Sequence, residues 1–385
     1  MTSADLFARA LEAMPGGNTR TTLYLPPVPP YVRSGEGCVV RDEDGHETID
    51  LHGNYTTLVH GNAHPQILAA AYEAIADGTC FGLPSRHDVD LAEALCSRVA
   101  AVDRVRFTNS GSEAVMMAVR TARAATGRDG VLRFAGSYHG IADIALPEDA
   151  AGLPASARDD LWTLPVADAD AFVAALDRDG DRIGCVVIDL MPNRAGLKPV
   201  PQAFADLVRR ETERRGIVLI VDEVITLRLE RGGLHARYGL TPDLVTMGKI
   251  IGGGFAVGAW GGAAGLMAVL DPRVGATSLP HAGTFSANPV TMRAGVAALE
   301  LLDAAAIARI NVLGDDLRER VGALGYAVSG SGSLFRLLDV LGNFDAWWRL
   351  YRAGILSAAN GLCSLSTVMD GAVVDELERR FAAAR

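Results

Sequence analysis

The chain has 385 residues, enough for two or three domains with full cores. Apolar residues make up 49% and charged residues 21%, which excludes a disordered chain and a fibrous repeat. Lysine and arginine total 36 against 46 acids, a net charge of −10 that argues against a nucleic-acid or anionic-membrane partner.

From Met1 to Arg20, charges and apolar residues alternate as in a short amphipathic helix, without the apolar stretch of a secretory leader. Gly37 to Leu51 predicts a hairpin, two strands joined at Asp42–Gly45. A strand at Val105–Phe107 then enters the turn Thr108-Asn109-Ser110-Gly111-Ser112-Glu113-Ala114. A helix follows from Ser112 to Thr126, and Gly127 stops it. Free N–H groups at that helix start, with two serine hydroxyls, suit a phosphate; Ser112 and Glu113 also read as ordinary N-capping residues. The turn is neither a Walker loop nor a dinucleotide fingerprint, because GxxxxGK[ST] and GxGxxG are both absent. Tyr138-His139-Gly140 follows a short strand, Val131–Phe134. Its aromatic face either stacks on a ligand ring or packs on the core.

Val186–Ile188 and Ile217–Val221 are apolar runs without polar alternation, as in parallel strands covered on both faces. Gln202–Arg215 between them has helical spacing and ends at Gly216, so the three form a βαβ unit. Asp222 stands at the carboxyl end of the second strand, where α/β folds place ligand groups. It holds a pyridinium N–H, caps a helix or joins an ion pair. Lys249 lies between an apolar strand and Gly252-Gly253-Gly254. There it is either a desolvated amine suited to imine formation or an exposed strand-end lysine. Ile250–Leu270 is uncharged and long enough to span a bilayer, but seven of its residues are glycine, so it reads as packed loop and strand. From Asn288 a helix leads to Leu302, and short Gly/Ser-rich strands alternate with helices to the end. Five scattered cysteines without a CxxC pair read as buried reduced thiols of a cytoplasmic protein. The histidines form no HExxH or His/Cys cluster, so no catalytic metal is expected. The pattern predicts an α/β architecture: a large domain at 55–287 with a mainly parallel central sheet, and a smaller α+β lobe from both termini, 1–54 and 288–385.

In their order, these segments resemble the class-III aminotransferases, fold-type I pyridoxal-phosphate enzymes. The branch is the one holding glutamate-1-semialdehyde aminomutase and the β-amino-acid aminotransferases. The resemblance rests on Pro15–Arg20, Gly61–Pro65, Asn109–Ala114, Tyr138–Gly140, Asp222–Thr226, Gly248-Lys249 and Gly283–Pro289. It implies that Lys249 forms the Schiff base with pyridoxal 5'-phosphate and later shuttles a proton, while Asp222 pairs with the pyridine nitrogen. It places Val224 and Tyr138 on the two ring faces, with His139 beside them. Ser110, Gly111 and Ser112 bind the phosphate, which Thr284 reaches from the partner subunit of a homodimer with shared active sites. Arg20 matches the position that binds the substrate carboxylate. Two departures stand out. Asp189-Leu190 replaces the usual Glu-Pro, and Met191-Pro192-Asn193-Arg194-Ala195-Gly196 replaces the aminomutase pattern, leaving Asn193 as the substrate-side amide. The implied activity is transfer of an amino group between a carboxylate-bearing amino compound, such as a β-amino acid, and a keto or aldehyde acceptor. The alternative is a 2,1-aminomutase.

Overall fold

The computed structural model describes residues 1–147, 149–274 and 279–385. The chain divides into two compact units, one of residues 1–65 with 308–385 and one of residues 66–307. Both termini build the smaller unit, but its boundaries lie further along the chain than the composition suggests. The helix Pro289–Leu301 belongs to the large unit. The N-terminal helix is shorter than the charge pattern predicts, Ser3–Ala13, because Pro15-Gly16-Gly17 breaks it. Strands β1 (Val32–Glu36), β2 (Val39–Asp42) and β3 (Glu47–Asp50) form an antiparallel meander that contains the expected hairpin.

The large unit is built on β4 (Arg104–Thr108), β5 (Gly130–Phe134), β6 (Leu161–Leu164), β7 (Ile183–Ile188), β8 (Val218–Asp222), β9 (Leu244–Gly248) and β10 (Gly258–Gly262). Their order in the sheet is β4-β10-β9-β8-β7-β5-β6. Neighbours from β9 to β6 are parallel, while β10 runs against both of its neighbours. One face packs Val131, Cys185, Val187, Val218, Ile220 and Leu244 against Met117, Ala118 and Ala122 of the helix Gly111–Thr126. Side chains alternate between faces with period two, so the next same-face positions on β8 and β9 are Asp222 and Thr246. The core thus ends, at the carboxyl edge of the sheet, in a polar row beside the start of that helix. In the small unit, β11 (Val328–Ser331), β12 (Leu334–Leu337) and β14 (Leu362–Ser364) form a second sheet, and β13 (Ile355–Leu356) adds in parallel to β3. Trp347, Phe335, Leu377 and Phe381 anchor its core.

No helix among the described residues is long and apolar enough to cross a membrane. Ile250–Leu270 folds as loop, strand β10 and short helical turns. All five cysteines are free thiols; Cys185 and Cys363 are buried, but Cys80 is exposed and Cys38 and Cys96 are half-buried, against the expectation of uniform burial.

Candidate active site

The turn after β4 is capped by Ser110, not Ser112. Ser110 Oγ accepts from the Glu113 N–H at 3.2 Å, and the Glu113 carboxylate accepts from the Asn109 N–H at 2.6 Å. That reciprocal cap leaves the first helical amides, Gly111 and Ser112, without an intrahelical acceptor at the positive end of a 16-residue helix. The Tyr138-His139-Gly140 turn abuts this point. A Cβ on Gly140 would stand 2.7 Å from Ser112 Cβ, and one on Gly111 would stand 2.9 Å from Val224 Cγ1.

At the end of β8, Asp222 is 6% exposed and fully engaged. His139 Nδ1 donates to Oδ2 at 2.7 Å; the Thr246 hydroxyl and the Val224 N–H donate to Oδ1 at 3.0 and 3.1 Å. Burial works to raise its pKa, but the His139 hydrogen bond and charge, the Val224 N–H and the Lys249 ammonium hold the carboxyl below the ordinary aspartate value. His139, 4% exposed, keeps Nε2 without a partner among the described residues. Lys249 follows β9 with φ of 49°, a left-handed conformation uncommon outside glycine. Burial pushes its ammonium down to about 8, against the pull of Asp222 and Asp189. The predicted cluster of Ser110, Gly111, Ser112, His139, Asp222, Val224 and Lys249 therefore gathers at one edge of one sheet. Such an edge can hold an anion at the helix start, a protonated ring nitrogen at Asp222 and an aldehyde carbon at a lysine that sheds its proton far more readily than an exposed one.

Of the remaining predicted residues, Tyr138, Thr284 and Arg20 are exposed, while Asn193 is buried next to the cluster. Tyr138 is partly exposed, and the Arg194 guanidinium sits over its ring, 4.8 Å from the centroid. Asn193 is buried, and its backbone N–H is directed to the Asp189 carboxylate. Thr284 is exposed in the segment after β10. Arg20 belongs to the small unit, where Nη1 lies 3.4 Å from Asn54 Oδ1 and the guanidinium 5.8 Å from the centre of the Tyr55 ring. Sequence reasoning treated Asp189 only as a departure and did not single out Thr246. Their signal was the same as that of Asp222: a polar residue at or near the carboxyl end of a buried strand. It also missed the brace behind Val224. Glu223 Oε1 accepts from the His235 N–H at 2.7 Å and from Nδ1 at 2.8 Å, from a residue 12 positions along the chain. Among the described residues, no group of acids, histidines and cysteines could hold a metal ion.

A family model described as aminotransferase class-III matches residues 25–329. The glutamate-1-semialdehyde 2,1-aminomutase of Methanothermobacter thermautotrophicus is 37% identical over 353 residues, covering 88% of this chain and 83% of its own. Among solved structures, an omega-transaminase from Sphaerobacter thermophilus is 42% identical with a TM-score of 0.95, covering 99% of this chain and 96% of its own. A β-phenylalanine aminotransferase from Variovorax paradoxus is 33% identical with a TM-score of 0.92, covering 99% and 92%.

Proposed function

The chain belongs to the class-III aminotransferases, and from that premise we propose that it is a homodimeric, cytoplasmic transaminase. It moves an amino group from a carboxylate-bearing amino compound, a β-amino acid foremost, to a keto or aldehyde acceptor. The family's cofactor is pyridoxal 5'-phosphate, and the large unit suits it. Asp222 offers a buried, charge-stabilised carboxylate, His139 Nε2 lacks a partner, and two amides wait at a helix start. When bound, the cofactor supplies an electron sink for the carbon that carries the amino group.

The residues divide the remaining work. The Lys249 amine anchors the cofactor; once freed, its Nζ takes the proton from the amine-bearing carbon and returns it. Asp222 keeps the ring nitrogen protonated, and the donors on both of its oxygens keep it ionised to do so. Ser110, Gly111 and Ser112 hold the phosphate, Tyr138 and Val224 flank the ring, and Thr284 of each chain reaches the phosphate of its neighbour. Arg20 takes the substrate carboxylate in its planar fork, and Asn193 lies on the substrate side. Five free thiols suit a reducing compartment.

The observation that supports the transaminase reading is sequence identity: 42% to the Sphaerobacter omega-transaminase over 99% of this chain. The 37% identity to an aminomutase supports a second reading, in which the amino group moves between adjacent carbons of one molecule. Visible absorbance recorded while candidate amines are added one at a time separates the two. A transaminase is bleached by donor alone and recovers its band with a keto or aldehyde acceptor. Conversion of one substrate to its positional isomer with no acceptor would replace this reading by the second.

A further inference from the structure

Asp189 follows directly on β7. The register pairs Val187 with Ile220 and Ile188 with Val221, so one further step sets Asp189 against Asp222 on the neighbouring parallel strand. Residues at matched register on adjacent strands share a face and lie about 5 Å apart. Two carboxyl groups therefore end the same face of the sheet, and they are 5% and 6% exposed. Their surroundings differ. Asp222 accepts from an imidazole, a hydroxyl and a backbone N–H. Among the described residues, Asp189 has backbone donors only, the Met191 N–H at 2.9 Å from Oδ1 and the Asn193 N–H.

Two buried carboxylates this close cannot both ionise cheaply, and the one with the stronger donors keeps the charge. We propose that Asp189 is a positioning residue that carries a proton while Asp222 stays ionised, and that its charge state sets how readily Lys249 gives up its own proton. Burial first, then the Asp222 charge, push Asp189 up to about 7, against the Met191 N–H and His139. The titratable groups facing it are Asp222 on β8, His139 from the turn after β5 and Lys249 after β9. Arg194, on its own loop, is turned over Tyr138. With Asp189 neutral, Lys249 feels one carboxylate; with Asp189 ionised it feels two, and the ammonium is held more tightly. The role is distinct from that of Asp222, and it rests on the reading of Lys249 as the cofactor-bearing lysine.

The test follows how fast the cofactor-free full-length protein takes up pyridoxal 5'-phosphate, read by visible absorbance against pH, in the wild type, Asp189→Asn and Asp189→Glu. The limb that reports loss of the Lys249 proton moves to lower pH by about one unit in Asp189→Asn, and Asp189→Glu restores it. Superimposable profiles for wild type and Asp189→Asn would overturn the proposal. The wild type alone offers a second reading that needs no variant to fold. The infrared carbonyl band of a protonated carboxyl is present at about pH 6 and disappears as the pH passes about 8. Absence of that band at the lower pH also overturns it. Failure of uptake by every form at every pH would instead strike the Lys249 reading, which the infrared band does not use.

Discussion

Lys249 shows how a site is set against the stability of the chain that carries it. Its ammonium is displaced from 10.5 to about 8, burial being the cause. A depressed lysine pKa means the unfolded chain binds the proton more tightly than the folded one. The penalty is therefore fully present below about pH 8 and fades as the pH rises to the unfolded value. Replacing the amine while keeping its length, Lys249→Met, should abolish covalent cofactor attachment and stabilise the cofactor-free chain by about 1–3 kcal/mol at neutral pH. Thermal denaturation at pH 7 and about pH 10.5 checks it, because the gain must shrink to about 0.4 kcal/mol or less at the higher value. Arg20 makes the opposite case, a charge left available. It touches Asn54 and the Tyr55 ring but pairs with no carboxylate among the described residues. If it clamps the substrate carboxylate, Arg20→Ala costs roughly 1.5–3 kcal/mol of a charge-assisted bond and raises KM about 10- to 100-fold for acids. Simple amines without a carboxylate should react as before. Equal KM values across acids and amines would move the carboxylate site elsewhere.

The elements differ in how openly the sequence announces them, and the difference is physical. β7, the helix Gln202–Arg215 and β8 are legible because strands covered on both faces need continuous apolar runs, and because Gly216, at φ 60°, ends the helix in a conformation glycine adopts freely. β10 is not legible as an antiparallel insertion, since Gly-Ala-Trp-Gly-Gly has little strand preference; backbone pairing to β4 and β9 decides it. The turn Gly53–Thr56 is hidden too. Four successive residues there have φ between 46° and 73°, and only Gly53 and Asn54 are of types that favour it. Lys249 and Asp222 were readable because each sits at a strand end. The Glu223–His235 brace was not, because a hydrogen bond across 12 residues leaves no local period. The close approach of Gly111 to Val224 is of the same kind, and it makes a prediction. Gly111→Ala puts a methyl 2.9 Å from Val224 Cγ1, tighter than contact allows, so the Val224 side chain must move. Cofactor affinity should fall by about 1–2 kcal/mol with the fold intact. Val224→Ala in the same chain should restore most of it; additive losses in the double variant would show that the two residues do not meet in the loaded protein.

At the scale of the whole molecule, the division into units was legible in outline, since both chain ends depart from the βα alternation of the middle. Its boundaries were not, because Pro289–Leu301 reads as any amphipathic helix until its packing is known. What a single chain leaves uncovered points to a second copy. On the large unit, Phe81, Leu83 and Phe285 are exposed, Leu83 to 81%, beside a groove of about 530 Å³ lined by Gly82, Leu83, Gly283 and Thr284. Apolar side chains left in water around a shared groove are characteristic of an interface rather than of a free surface. Thr284 lines the same groove, as the role proposed for it would need. Burying a leucine is worth roughly 1.5–3 kcal/mol, and a two-fold interface counts each change twice. Leu83→Asp should therefore weaken a dimer by about 3–6 kcal/mol, roughly 100- to 20,000-fold in dissociation constant. Sedimentation equilibrium is expected to show the wild type as a dimer at micromolar concentration and Leu83→Asp as largely monomer. If Thr284 reaches the neighbouring phosphate as proposed, the monomer should also bind cofactor less tightly, because each phosphate loses that hydroxyl. Thr284→Ala separates the two effects: it keeps the dimer and loses only the contribution of one hydrogen bond, about 0.5–1.5 kcal/mol of cofactor affinity. A wild-type monomer with full activity, or a Leu83→Asp dimer with unchanged affinity, would remove the second copy from the site.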